Sequence, residues 1–337
     1  MGSFIKQIGL VIVTSLIFIS CGSNSSNDGG TNGEDIGNIF VSSNTTSIIS
    51  VFNFSDLENI TSVQFGTASN DADGIYYNST TDRLYLVSRS NNRLEIYDGL
   101  TTSLNGTNLN LLASSAADFT NGRKLAVSGN TVLVAQDAAA SNDQQNRFYA
   151  YDVTGGTIRL ITTYDPQINL WDMQFHGEKL YAIIDNSDSL AVFNNILANQ
   201  GGAVNADQKV QIEGILRTHA LYYDEVEDIM FMTDIGEASS DSDGGIHIIQ
   251  DFSTKLSAAG DRGTISLSDQ IVISGTNTEL GNPVGVSYDR SSELIYVAER
   301  AVEGGKLIVF RMPTASGNEN PLHTEKNSGT SAIYIGD

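Results

Sequence analysis

The stretch DGIYYNSTTDRLYLVSRSNNRLEIYDG, Asp73 to Gly99, reads as three short apolar strands separated by polar turns. Ile75 to Tyr77 is followed by an Asn-Ser-Thr-Thr-Asp turn, Leu84 to Val87 by an Asn-rich turn, and Leu94 to Tyr97 closes the unit. Asn, Asp and Ser belong in such turns because their side chains bond the nearby backbone and tolerate left-handed geometry. The same pattern returns in diverged form as RKLAVSGNTVLVAQD from Arg123, WDMQFHGEKLYAIIDNSDSLAVF from Trp171 and HALYYDEVEDIMFMTD from His219. Two further copies are VGVSYDRSSELIYVAERAVEGGKLIVF from Val284 and SAIYIGD from Ser331. A repeat of about 50 residues made only of strands is the period of propeller blades.

Aligning the copies on their second strands gives Leu84–Val87, Val132–Ala135, Leu180–Ile183, Ile229–Met232 and Leu294–Val297. A sixth, Ile39–Ser42, has no first strand before it, while Ser331–Ile335 has the form of a first strand with nothing after it. Pairing the two closes the ring and removes the exposed sheet edge at the seam. The expected fold is therefore all-β, a six-bladed propeller of four-stranded antiparallel blades, closed by the C-terminal strand in the N-terminal blade. Seven blades is the competing count, because Thr314–Gly329 fits no strand position in the alignment.

The unit SRSNNRLEIYDG, Ser88 to Gly99, resembles the strand, Asn-rich turn, strand module of NHL-type six-bladed propellers, and the resemblance extends over residues 37–337. It implies a binding platform more often than an enzyme. Related six-bladed propellers include metal-dependent lactonases and esterases, so fold leaves function open.

Residues 1–21 have the form of a targeting segment: Lys6, then the apolar run Ile8 to Ile19, then Ser20-Cys21. They resemble a bacterial lipoprotein signal, which implies lipid on Cys21, the only cysteine, and export to the outer membrane, on its periplasmic or outer side. The apolar run is short of the roughly 20 residues that span a bilayer. Residues 22–37 are dominated by Ser, Asn, Gly, Asp and Glu and read as a flexible tether. Residues 38–337 form the propeller domain, expected to be monomeric. The chain carries 18 Lys and Arg against 40 Asp and Glu, a formal charge of −22. A field of that sign repels phosphate backbones and anionic lipid, so nucleic acid is not an expected partner and the membrane is met only through the N-terminal lipid.

Equivalent positions in a propeller converge on its axis. The residues just before each first strand, Asp73, Arg123, Trp171, His219, Val284 and Ser331, should therefore line one mouth of the channel. They differ from one another, as an asymmetric ligand requires, although a water-filled mouth tolerates the same variety. Trp171, the only Trp, offers either a stacking surface for a sugar or a plug between blades.

A second ring, after each second strand, reads Asn44, Arg89, Asp137, Asp185, Asp234 and Glu299. Arg89 joins the ligand-binding set, and the four acids are a donor set for Ca²⁺ or another divalent cation. The competing role for those acids is to accept hydrogen bonds from the next turn. Asp71–Gly74 and Asp241–Gly244 look like fragments of calcium loops, but counting from Ser239 the twelfth position is Gln250, where a bidentate Glu is needed.

No G-x-S-x-G elbow is present and only four His occur, of which His219 alone falls at the mouth. A gluconolactonase-like site would take Glu299, Asp185 or Asp234, and Asn44, but the corresponding N-terminal glutamate motif is not recognisable. The expectation is thus a binding protein for a glycan, a small nutrient or an envelope protein, with no catalytic residue assigned; a divalent-metal lactonase or esterase on the same face is the alternative.

Overall fold

The computed structural model describes residues 39–336; the expected targeting segment and tether, with Cys21, lie outside the described residues. Six antiparallel sheets are arranged around one axis. The first blade runs, from the axis outward, Thr330–Ile335, Ile39–Ser43, Ile48–Asn53 and Thr61–Gly66. The second is Ala72–Asn78, Arg83–Ser88, Arg93–Asp98 and Asn110–Ser114. The innermost strands of the remaining four are Gly122–Ser128, Leu170–His176, Leu221–Asp224 and Pro283–Asp289. His323–Lys326 is the outer strand of the sixth blade, so the segment that fitted no position belongs to it and the count is six. The third and fourth blades each gain a two-residue parallel strand at the outer edge, Gly202–Ala203 and Thr264–Ile265.

The ring closes where the alignment places it. Ile39 pairs with Ile335, Phe40 with Tyr334 and Val41 with Ile333, antiparallel. Each blade buries both faces against its neighbours, and each junction between adjacent blades has its own apolar cluster. Phe40 and Tyr77 stack across the junction of the first and second blades with ring centres 4.6 Å apart. The apolar mass thus lies between the blades, which leaves the axis open for polar side chains.

Inner strands do not follow simple alternation at their upper ends. Register shifts fall between Ala72 and Ile75, Gly122 and Leu125, Leu170 and Met173, and Pro283 and Gly285. A bulge adds an unpaired residue and re-aims side chains. Here it turns two successive residues toward the channel: Arg123 and Trp171 line an upper cavity, Lys124 and Asp172 a lower one. At the same level of the second blade stands Gly74, where a Cβ would come within 2.6 Å of Leu125 N; the inner strands approach too closely there for any side chain.

Candidate functional site

The upper cavity has a volume of about 190 Å³. All six residues aligned at the mouth line it: Asp73, Arg123, Trp171, His219, Val284 and Ser331. Asn44, Asn282 and Arg300 complete the wall. At about 30 Å³ per water, the space suits about six waters or one sugar ring.

Trp171 is not an open platform. The guanidinium of Arg123 sits 3.8 Å from its ring centre, and the His219 ring stacks on it at 3.7 Å and 6°. Two groups that close to one ring centre must take opposite faces, so the indole is sandwiched across three blades. What remains for a ligand is its edge. Its Nε1–H is buried and has no hydrogen-bond partner.

His219 is 4% exposed. Burial pushes its pKa down to about 4, against the opposing pull of Asp185, so the ring is neutral at pH 7. Its Nε2 faces Asp185 Oδ1 at 3.3 Å, while Nδ1 is buried with no hydrogen-bond partner. Burial alone would raise Asp185; contacts with His219 and Arg217 outweigh it and hold the carboxyl below the usual range. Arg217 grips that carboxylate through Nε and a terminal nitrogen at 3.0 and 3.2 Å. Asn282 Oδ1 is likewise buried without a partner. Arg300 donates Nε to Asn44 Oδ1 at 3.0 Å and, among the described residues, forms no ion pair.

The acids of the second ring do separate work. Asp137 accepts from Arg123 at 2.9 and 3.2 Å and so steadies the sandwich from behind, although burial raises its pKa against that pairing. Asp234 accepts from the N–H groups of Leu216, Arg217 and Gly236. Glu299, fully buried, accepts from Gly281, Asn282, Ala301 and Val302. Among the described residues, no three His, Cys, Asp or Glu are grouped to hold a metal ion. Arg89 lies outside the cavity wall, reaching Asp71 at 3.4 Å and Asn121 at 3.3 Å. In the two acidic-glycine runs, Asp73 pairs with Lys124, and Asp243 accepts from the Glu237 N–H.

Beneath the cavity the channel narrows on an ion pair that the sequence reading did not contain. Lys124 Nζ lies 2.9 Å from Asp73 Oδ1 and also donates to Ser331 O, both charged residues being 4% exposed. Ser42 Oγ donates to Asp73 O at 2.6 Å and Ser331 Oγ to Ala72 O at 2.7 Å, tying the seam blade to the second. Asp73 belongs to the upper cavity wall and Lys124 to the lower, so the pair marks the waist between two chambers.

No protein-family model and no curated protein sequence matches the chain. Solved structures do. The periplasmic gluconolactonase of Pseudomonas aeruginosa superposes with a TM-score of 0.62 at 12% identity, over 90% of this chain and 99% of that one. A chain of the nidogen/laminin complex gives 0.58 at 10% identity, over 88% and 97%. At such identities the likeness is one of fold.

Proposed function

We propose that this chain is an exported, lipid-anchored recognition module whose ligand, a small polar molecule of about one sugar ring, seats in the upper cavity. The observation that carries this is the set of buried polar atoms without partners on residues of that wall: Trp171 Nε1, His219 Nδ1 and Asn282 Oδ1. A buried polar group left unpaired costs about 1–3 kcal/mol, and such groups are rare in folded proteins. Several in one cavity describe a site prepared for a hydrogen-bonding guest. Arg300 adds an ion-unpaired guanidinium, which favours a guest rich in acceptors, a sugar or sugar acid. The sandwich of Arg123, Trp171 and His219 fixes the wall in one geometry, so little ordering is needed on binding.

The test is calorimetric titration of hexoses, uronates and aldonates into the protein and its Arg300→Ala variant. Saturable binding that weakens at least tenfold in the variant supports the proposal; no binding across the panel refutes it. Replacing Cys21 by Ala tests the anchor separately. The protein should then move from the membrane fraction to the soluble one.

A second reading, hydrolysis of a lactone or ester aided by a divalent cation, draws on the neutral His219 beside Asp185, which leaves the imidazole able to accept a proton. The resemblance in fold to a gluconolactonase supports it. Turnover that chelation abolishes while binding survives would favour the enzyme. Absence of turnover with any added metal favours the binder.

A further inference from the structure

Below the waist the channel opens into a second chamber of about 240 Å³, distinct from the site proposed above. Its character is different. Tyr76, Tyr222, Tyr334, Phe175 and Met173 supply apolar and aromatic wall, with Tyr76 and Tyr334 in edge contact at 4.8 Å. One carboxylate, Asp172, stands among them. It accepts the N–H of Met173 at 2.8 Å and of Leu221 at 3.2 Å, and among the described residues no basic group lies within ion-pair distance. Lys124, the cation also lining this chamber, is committed to Asp73.

Burial raises Asp172 to about 6, against the pull of Lys124, so at neutral pH the group carries a negative charge with no cation of its own. The carboxylate is half-buried, so water screens its charge only in part and an incoming cation is attracted to it. The faces of tyrosine rings attract the same cation. Entry is open from below, because Gln174, Phe175 and Tyr222 also border a groove of about 640 Å³ on the lower face. A chain of charge −22 draws cations toward it.

We infer that the lower chamber is a binding site for an organic amine with an aromatic or apolar body, its ammonium paired with Asp172 and its body held among Tyr76, Tyr222 and Tyr334. An acid of the same shape has no free cation to meet. The volume, about eight waters' worth, holds a single-ring arylalkylamine.

The probes are 2-phenylethylamine, 2-phenylethanol and 3-phenylpropionate, titrated calorimetrically into the whole protein at pH 7.5. The amine is expected to bind one to one, at least tenfold more tightly than either of the others. Asp172→Asn should remove that preference. Because that change leaves one backbone N–H without its acceptor, a second variant, Val127→Phe, fills the chamber from a wall residue on the neighbouring blade that also packs against the apolar cluster of Tyr85, Val87 and Leu125. It should abolish amine binding while a single cooperative urea transition is kept, with a loss of no more than the roughly 1–3 kcal/mol of an overpacked site. Equal binding of all three probes, no binding of the amine, or a preference that survives Asp172→Asn in a folded protein would each overturn the assignment.

Discussion

Acidification should destabilise this propeller through His219, and the size of the effect can be worked from its surroundings. In the unfolded chain the imidazole takes a proton near pH 6.5; in the folded protein burial against Trp171 delays that to about 4. The stability contributed is therefore complete above pH 6.5 and is lost as pH falls through the window down to about 4. The displacement of about 2.5 on the pH scale, at about 1.36 kcal/mol each, is about 3 kcal/mol. His219→Phe keeps a flat ring on the indole and removes the proton acceptor. Urea unfolding of both proteins at intervals from pH 7.5 to pH 4 isolates the term, since other groups titrate in both. The wild-type protein should lose about 3 kcal/mol relative to the variant across that range. A difference that stays constant within about 1 kcal/mol would mean that the ring titrates as if exposed, and the sealed sandwich would be wrong.

Three further outcomes follow from the same geometry. Lys124→Met strands the Asp73 carboxylate and should cost about 3–5 kcal/mol by urea unfolding, while the Lys124→Met, Asp73→Asn double variant should recover most of it; equal losses would refute the pairing. Trp171→Ala should cost about 3 kcal/mol, toward the low end for a large aromatic because the indole is only half-buried, and should abolish ligand binding in the upper cavity; unchanged affinity would remove the wall from the site. Deleting residues 330–337 exposes the inner edge of Ile39–Ser43 and should eliminate the single cooperative transition seen by circular dichroism; a cooperative melt near the full-length midpoint would contradict closure by that strand.

Much of this architecture was legible because a propeller repeats its errors as well as its strands. Second strands, which are buried on both faces and bounded by Asn- and Asp-rich turns, align by eye, and the orphaned halves at Phe40 and Tyr334 find each other. The upper mouth followed, since one position per blade projects to one axis. What strict alternation hid is the residue after each mouth position. Lys124 and Asp172 should by period two face the cores between blades, and only the bulges, which leave no mark in a single sequence, turn them into the channel. Arg217 and Arg300 escaped for another reason: both lie in connecting segments, where register gives no direction. The acids of the second ring were correctly placed near strand ends, but whether an Asp there faces an ion or a backbone N–H is decided by the turn. Asp234 and Glu299 accept from the turn, and Asp137 and Asp185 from arginines.

Trp171 is the only tryptophan in the chain and stands in the wall of the upper cavity, so its emission reports on that cavity alone. Titrating sugars and sugar acids while following tryptophan fluorescence is the most direct measurement of whether the cavity takes a guest. A saturable change with at least one of them, weakened at least tenfold in Arg300→Ala, is the predicted result. Emission that none of them alters, or a ligand that binds tightly elsewhere while the indole signal stays flat, would contradict it.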